Sequence, residues 1–527
     1  MNYLQGTRGH IIVLIVFCSL LYFPRLGTPD LSGSSSELRY AEIAKEMLRD
    51  GHWIVPYFAQ EEYHGKPPLY FWSVALLSAA TGTITETSAR LPAALSSMGI
   101  VLVTYFLGSK LFGSRAGLLA ALMLACSPKI FSYARAVRMD AMYTFFFTSF
   151  LASFYYGYTY KLRQYLLLAG VAIALMVLTK GPLSLYFPSA VAFLYLVYCR
   201  DFLFLLSKDF FLCVGTFLLI VLAWAIPTYM EGGAGYFGWF HSENIALYTV
   251  EKETEWDVPL EYLGDVFMGA APWSLFLPLI LYNYYSHGRG QKETTFLLIW
   301  MAVMYVSFSL TFQRRSPYLL PLYPALSILV AAYIDKYLDD VTARQHYVSY
   351  GVLYLLAVAA GVVAGSIAGN HDIGTNLIII AAVAFVSFGA AVLLLSRRSK
   401  SLYPFFTASL ILLSVCGFTR ALYFAPRAGG KISTRHLHEE IRGMMKEGAQ
   451  LAMYDGLPVR YTLYFYGSMY PKKISSEDEL IRFLDSTEAG YCIVAADYYQ
   501  ALKSRHPSLQ GSEFKGVKKR YVLVSKQ

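Results

Sequence analysis

Charge is scarce in this chain. Only 15% of its 527 residues are Asp, Glu, Lys or Arg, where a soluble domain carries roughly a quarter. That excludes a chain that is soluble along its whole length. Cysteine is nearly as scarce. Of six, Cys18, Cys126, Cys199, Cys213 and Cys416 lie in or beside apolar stretches and Cys492 stands alone near the C-terminus. No disulfide framework and no CxxC metal site is available from that spacing. The tail from about residue 427 holds neither a GxGxxG nor a P-loop, which argues against a nucleotide site there. The net charge of +9 comes from scattered residues, with no dense Lys/Arg run interleaved with aromatics, so it is not a nucleic-acid footprint. There is no internal repeat and no low-complexity tract.

What is abundant is apolar surface. Hydrophobic residues make up 56% of the chain, with 43 Tyr and 35 Phe, and the aromatics suit a membrane interface. Apolar runs recur from residue 10 to residue 424 and then stop. They predict spans at 10–25, 91–109, 116–131, 141–159, 164–179, 183–199, 209–227, 270–285, 293–312, 317–335, 347–368, 375–395 and 402–423, about thirteen helices of bilayer-crossing length. The first run lacks a clear small-x-small cleavage site and reads as a retained span rather than a signal peptide. With the N-terminus in the cytoplasm, Lys110, Arg115, Lys161, Arg163, Arg200, Lys208, Arg289, Lys292, Lys336, Arg344 and the Arg397, Arg398, Lys400 cluster all fall inside, as the positive-inside bias requires. The odd number of spans leaves the C-terminal tail outside. Residues 67–82 are too short for a span and would invert every later loop, so they read as an interfacial or re-entrant helix.

The expected fold is therefore mainly α. A polytopic bundle over 1–424 has long outer loops at 26–90 and 228–269, with interfacial helices in the first, and a small outer α/β domain follows over 425–527. In the first loop, ELRYAEIAKEMLRDG has Leu38, Ile43, Met47 and Leu48 at helical spacing and Gly51 as C-cap. In the tail, 451–455, 491–497 and 520–525 read as strands, and 432–447 and 476–486 as helices.

Transporters usually place ionisable groups near the bilayer midplane. Here the span interiors hold almost none. The charges gather at the outer face, among them Glu37, Arg39, Lys66, Asp140, Lys180, Glu243, Arg314 and Arg315. The last two break the positive-inside trend, which suits anion binding; a lipid-headgroup contact is the bland alternative. A solute or lipid transporter and an outer-domain scaffold are the rival classes, and both leave this polar cluster unexplained.

The segments SSELRYAEIAKEML (35–48) and HWIVPYFAQEEYHGKPPLYFW (52–72) resemble the bacterial arm of the GT-C membrane glycosyltransferases. More narrowly, they are similar to the aminoarabinose-transferase (ArnT)-like and protein O-mannosyltransferase superfamily. ARLPAAL (89–95), ARAVRMDAM (134–142), LTKGPL (178–183), APWSLFLP (271–278) and RSPYLLPLYPALSIL (315–329) match in the same order. The resemblance implies inverting transfer of a sugar from a polyprenyl-phosphate carrier to a lipid, glycan or protein acceptor, at the periplasmic face of the bacterial inner membrane. Protein O-mannosyl transfer is the nearest alternative within the enzyme class.

A phosphate leaving group needs cations and donors to hold its developing charge. Arg39, Tyr40, Tyr63, Lys66, Arg314, Arg315 and Tyr318 are the expected donor-binding residues, with His241 and Glu243 as loop contacts. An acceptor hydroxyl needs a carboxylate base. Relatives often have Asp-Glu before x-Arg-Tyr, and the Asp is the favoured base; here the pair reads Ser36-Glu37. Glu37 is expected to take that role with Asp140 as partner; Asp30, in a Gly/Ser-rich loop, and Asp140 alone are the alternatives. Gly65 stands where some relatives hold an acid before the lysine, so no metal or other cofactor is expected. Structural roles compete at each position. Glu37 favours its helix dipole, Lys66 could anchor at the interface, and Asp140 could cap its helix. Lys180 marks a span end, and Tyr318 could be a membrane-belt tyrosine.

Overall fold

The computed structural model describes residues 2–244, 258–288, 291–310, 316–337, 410–411, 414 and 433–526, apart from 455, 487–488 and 517–518. The membrane part is built from α1 (Asn2–Tyr22), α2 (Ser35–Asp50), α3 (Leu69–Ala79), α4 (Glu86–Phe112), α5 (Ser114–Ala125), α6 (Pro128–Ala134) and α7 (Asp140–Tyr160). There follow α8 (Arg163–Lys180), α9 (Tyr186–Cys199), α10 (Lys208–Asn244), α11 (Val258–Gly269), α12 (Leu277–Asn283), α13 (Lys292–Ser309) and α14 (Tyr323–Tyr337). Among the described residues, five helical segments are long and apolar enough to cross a bilayer: Glu86–Phe112, Arg163–Lys180, Pro182–Cys199, Lys208–Tyr236 and Pro317–Lys336.

Several expected spans take a different form. The run at 116–131 is two helices, α5 and α6, bent by 63°. Pro128 at the start of α6 cannot continue the preceding hydrogen-bond ladder. The run at 270–285 breaks into a 3-10 turn and the short α12. Much of the expected outer loop 228–269 is helical, because α10 runs on to Asn244 past a kink where Gly233 takes φ 66°. The expected spans 347–368 and 375–395, and nearly all of 402–423, lie outside the described residues.

The run at 67–82 is the eleven-residue α3, too short to cross at 1.5 Å per residue. It packs on α2, which runs close to its expected limits. The Ser34 side chain accepts from the Glu37 amide at the N-terminus, and Gly51 closes the helix at φ 79°, in the left-handed region. Leu38, Ile43 and Met47 are buried as the spacing predicted, whereas Leu48 is only partly so. Glu42 and Glu46 are buried as well. Glu46 is matched by a tight turn between two short strands, β1 (Tyr57–Phe58) and β2 (Glu61–Glu62): its carboxylate accepts the Ala59 amide at 2.8 Å and the Gln60 amide at 3.1 Å. Both turn residues have positive φ, which a non-glycine residue adopts at a cost; the two charge-assisted bonds offset it.

The C-terminal unit has α15 (Leu437–Met444), β3 (Gln450–Tyr454), α16 (Arg460–Gly467), β4 (Lys472–Ile474), α17 (Glu477–Ser486), β5 (Gly490–Ala495), α18 (Ala496–Arg505), β6 (Leu509–Lys515) and β7 (Arg520–Lys526). The sheet order is β4-β3-β5-β7-β6. β3 runs parallel to β4 and β5, and β7 antiparallel to β5 and β6. The three expected strands and two expected helices are present; α16, α18, β4 and β6 are additions. α16 packs on α2, so the unit rests on the 26–90 segment.

Candidate active site

The polar groups gather where α2, α3, the start of α4 and the α6–α7 connection meet. Glu37 lies in the first turn of α2. Its Oε2 accepts the Val137 amide at 3.1 Å and stands 3.6 Å from Arg90 Nη2. Arg90 is buried near the start of α4. It also donates to the carbonyls of Leu26 at 2.9 Å, Pro29 at 2.6 Å and Asp30 at 3.4 Å. One guanidinium thus folds the 26–30 loop against α2, and the fork geometry of Arg lets it serve several acceptors at once. The ARLPAAL motif contained this residue, but a lone Arg at a helix start gives no local sign of its partners.

Asp140 does not cap α7. Met139 occupies the cap position without a side-chain bond, and Asp140 is the first helical residue. Its Oδ1 receives Lys180 Nζ at 2.7 Å, from the last residue of α8. The acid at a helix start and the base at a helix end both suit the local dipoles, and the pair is largely buried, with side chains 9% and 18% exposed. Lys180 Nζ also lies 4.7 Å from the ring centre of Tyr143 and 5.2 Å from that of Tyr318. Tyr318 therefore joins the site. Lys180, which a span-end role alone would have explained, sits inside it.

Tyr70 lies within the electrostatic reach of both carboxylates. It is fully buried on α3 and donates to the Ala89 carbonyl at 3.4 Å. Burial raises its phenol well above the ordinary value; Glu37, Tyr40 and Asp140 add to that, and Arg90 opposes it. Tyr40 packs on Tyr70 at 6.2 Å and on Phe71 at 5.8 Å, and Tyr63 meets Phe71 edge-on at 5.9 Å. Arg39 lies 5.6 Å from the Tyr40 ring centre. Burial lowers its basicity, but Tyr63, Tyr40 and Tyr461 more than reverse this. Its Nε is buried without a hydrogen-bond partner among the described residues, a donor suited to a ligand oxygen.

Lys66 is half-buried, just before Pro67-Pro68 and α3. A Cβ on Gly65 would stand 2.5 Å from Tyr63 Oη, so an acid at position 65 requires Tyr63 to move. Asp30 is less peripheral than its loop suggested. Oδ1 accepts the Ser32 amide at 3.1 Å, and Oδ2 bonds Ser433 of the C-terminal unit. Arg314 and Arg315 lie outside the described residues, as do the side chains of His241 and Glu243; the backbone of the latter two is in the last turns of α10.

The structure of ArnT from Cupriavidus metallidurans bound to undecaprenyl phosphate superposes with a TM-score of 0.80 over 98% of each chain at 22% identity, which shows a shared fold. In sequence, the family described as dolichyl-phosphate-mannose-protein mannosyltransferase matches residues 65–226. The undecaprenyl phosphate-alpha-4-amino-4-deoxy-L-arabinose arabinosyl transferase of Shewanella sediminis is 27% identical over 61% of this chain, and the match spans 59% of that relative's length. The transferase of the same name from Aeromonas hydrophila is 26% identical over 80% of this chain and 79% of its own. The chain thus shares its fold with ArnT and resembles transferases of that kind in sequence over part of its length, in line with the resemblance of its motifs.

Proposed function

We propose that this chain is an inverting glycosyltransferase that moves a sugar from a polyprenyl-phosphate carrier to an acceptor at the periplasmic face of the bacterial inner membrane. One observation carries the reading. Separated motifs place Asp140 and Tyr318 around Lys180, and Arg39 and Tyr40 beside Tyr70, whose phenol feels both Glu37 and Asp140, at helix ends and not at mid-span. A transporter site would favour the midplane. The relatives' names and the undecaprenyl phosphate bound by the Cupriavidus ArnT support a lipid-phosphate donor.

In this mechanism the acceptor oxygen attacks the anomeric carbon, and the bond from that carbon to the phosphate oxygen breaks. The electron pair leaves with the phosphate. Lys66, Arg39, Tyr40, Tyr63, Tyr318 and the Arg314–Arg315 pair hold the charge that develops there. Glu37, with Asp140, takes the acceptor proton, and Arg90 and Lys180 orient the two carboxylates. No metal is required.

The family match at 65–226 favours a second reading of the acceptor, a protein hydroxyl. The test is transfer by the purified full-length chain in nanodiscs, from a panel of undecaprenyl-phosphate sugars to phosphoglycolipid or peptide, with and without EDTA. Turnover that persists in EDTA is expected. A chain that moves no sugar from any carrier and instead carries solute across a vesicle wall is a transporter.

A further inference from the structure

α16 is fixed to the site by three sets of contacts. Lys45 Nζ donates to the carbonyls of Phe465 at 2.5 Å and Tyr464 at 3.3 Å, and to Ser468 Oγ at 2.9 Å. The Leu31 amide donates to Tyr466 Oη at 2.9 Å, and that hydroxyl donates to Glu86 at 3.2 Å. Phe465 is buried in the cluster that contains Tyr70 and Phe71. So anchored, the first turn of α16 puts Arg460 and Tyr461 beside the donor-binding residues. Tyr461 stacks on Phe58 at 5.8 Å and packs on the same cluster as Tyr40 and Tyr63. It is also one of the three phenols that act on Arg39. Arg460 Nη2 donates to Tyr461 Oη at 3.3 Å, and its guanidinium carbon lies 5.1 Å from the Tyr461 ring centre.

Tyr461, which accepts from Arg460, thus packs on the same cluster as Tyr40, the ring that Arg39 lies beside, so two guanidiniums from distant parts of the chain flank one aromatic cluster. Both are half-buried, where attraction to an anion is less screened than in water. An anion at this cluster can take bonds from either one. Phosphate suits it best, since several oxygens present themselves to planar N–H forks at once.

We propose that Arg460 and Tyr461 form, with Arg39, a phosphate-binding half-site, so that the C-terminal unit completes the substrate site. The proposal rests on the transferase reading above. The phosphate belongs either to the polyprenyl donor or to a phosphorylated acceptor lipid.

The test measures affinity of the full-length chain in nanodiscs for undecaprenyl phosphate and, separately, for a phosphoglycolipid. Arg460→Gln is expected to weaken one of them by roughly tenfold or more, with partial recovery in Arg460→Lys. Tyr461→Phe keeps the ring and removes only the hydroxyl, and it should weaken the same lipid. Lys473→Ala, which removes only an exposed ion pair to Glu61 at the same domain contact, should bind as wild type. Loss for undecaprenyl phosphate assigns the half-site to the donor; loss for the phosphoglycolipid assigns it to the acceptor. Unchanged affinity for both lipids in Arg460→Gln and Tyr461→Phe overturns the proposal, as does a wild-type chain that binds neither. If phosphate affinity falls in the variants while the wild type transfers no sugar, the half-site stands and the transferase reading falls.

Discussion

Glu37 Oε2 lies 3.6 Å from Arg90 Nη2, across 53 residues of sequence, and both side chains are shielded from water, at 16% and 5% exposure. The pair closes the 26–90 segment onto the bundle. It also makes Glu37 two things at once, a buttress for the α6–α7 connection and the proposed base.

Those roles separate by substitution. Glu37→Gln keeps size and hydrogen bonding but removes the charge, and turnover should fall by roughly 10²–10⁴-fold. A phosphate acceptor, already anionic, makes the loss smaller. Arg90→Gln leaves Glu37 without its cation and should cost about 3 kcal/mol of stability, read as a lower melting temperature. Near-normal turnover in folded Glu37→Gln beside a dead Asp30→Asn would place the base on Asp30. Asp30→Asn is also expected to loosen the Ser433 contact, so it is assayed with a domain-contact readout.

Lys66→Ala should abolish transfer and leave the chain folded, because the leaving phosphate loses a point charge. Lys66→Arg should rescue only in part, since the two cations differ in shape and hydration. Full activity in Lys66→Ala protein removes the residue from the site.

Asp140 and Lys180 should behave as one unit. Asp140→Asn and Lys180→Gln each impair transfer, and the double variant is expected to lose much less than the product of the two single losses. Strictly multiplicative losses would show that the 2.7 Å contact does not matter to turnover.

Glu42 sets a pH dependence at the contact between α2 and the C-terminal unit. Burial raises its carboxyl to about 7; Lys45, the Tyr470 hydroxyl and Arg49 pull it down, and Glu46 adds to the rise. Tyr470 donates to it at 2.6 Å, and Lys45 stands 3.6 Å away. Burial also raises Glu46 and lowers Lys45. Between the ordinary carboxylate range and about 7 the folded chain holds a proton that the unfolded chain has released. The contribution of this group to stability is thus fully present at low pH and is lost as pH rises through 7. The melting temperature should fall between pH 5 and pH 8, and Glu42→Gln should flatten that slope. An unchanged slope in Glu42→Gln would assign it to other groups.

The charge bias also fixes an expected topology. A reporter fused after residue 400 should read cytoplasmic, and one at the C-terminus periplasmic. Both on one side would overturn the thirteen-span map.

The sequence by itself determined the elements whose signals are local. α2, with its caps and apolar face, follows from residues within one turn of each other. The apolar runs at 91–109, 164–179, 183–199 and 209–227 had to become helices, because a backbone in lipid has no water to bond. The motifs also marked Glu37, Asp140 and Lys66. Tertiary structure alone decided the partners. Nothing near Glu37 in sequence points to Arg90, and nothing near Asp140 points to Lys180. Nothing local marks Glu42 and Glu46 as buried, because a carboxylate is hidden only where a distant donor meets it, here Tyr470 and the amides of Ala59 and Gln60. α16 was missed as a helix. Its place on α2 was out of reach for the same reason: it depends on Lys45, Leu31 and Glu86, each hundreds of residues away, and contacts at that separation leave no period in the chain.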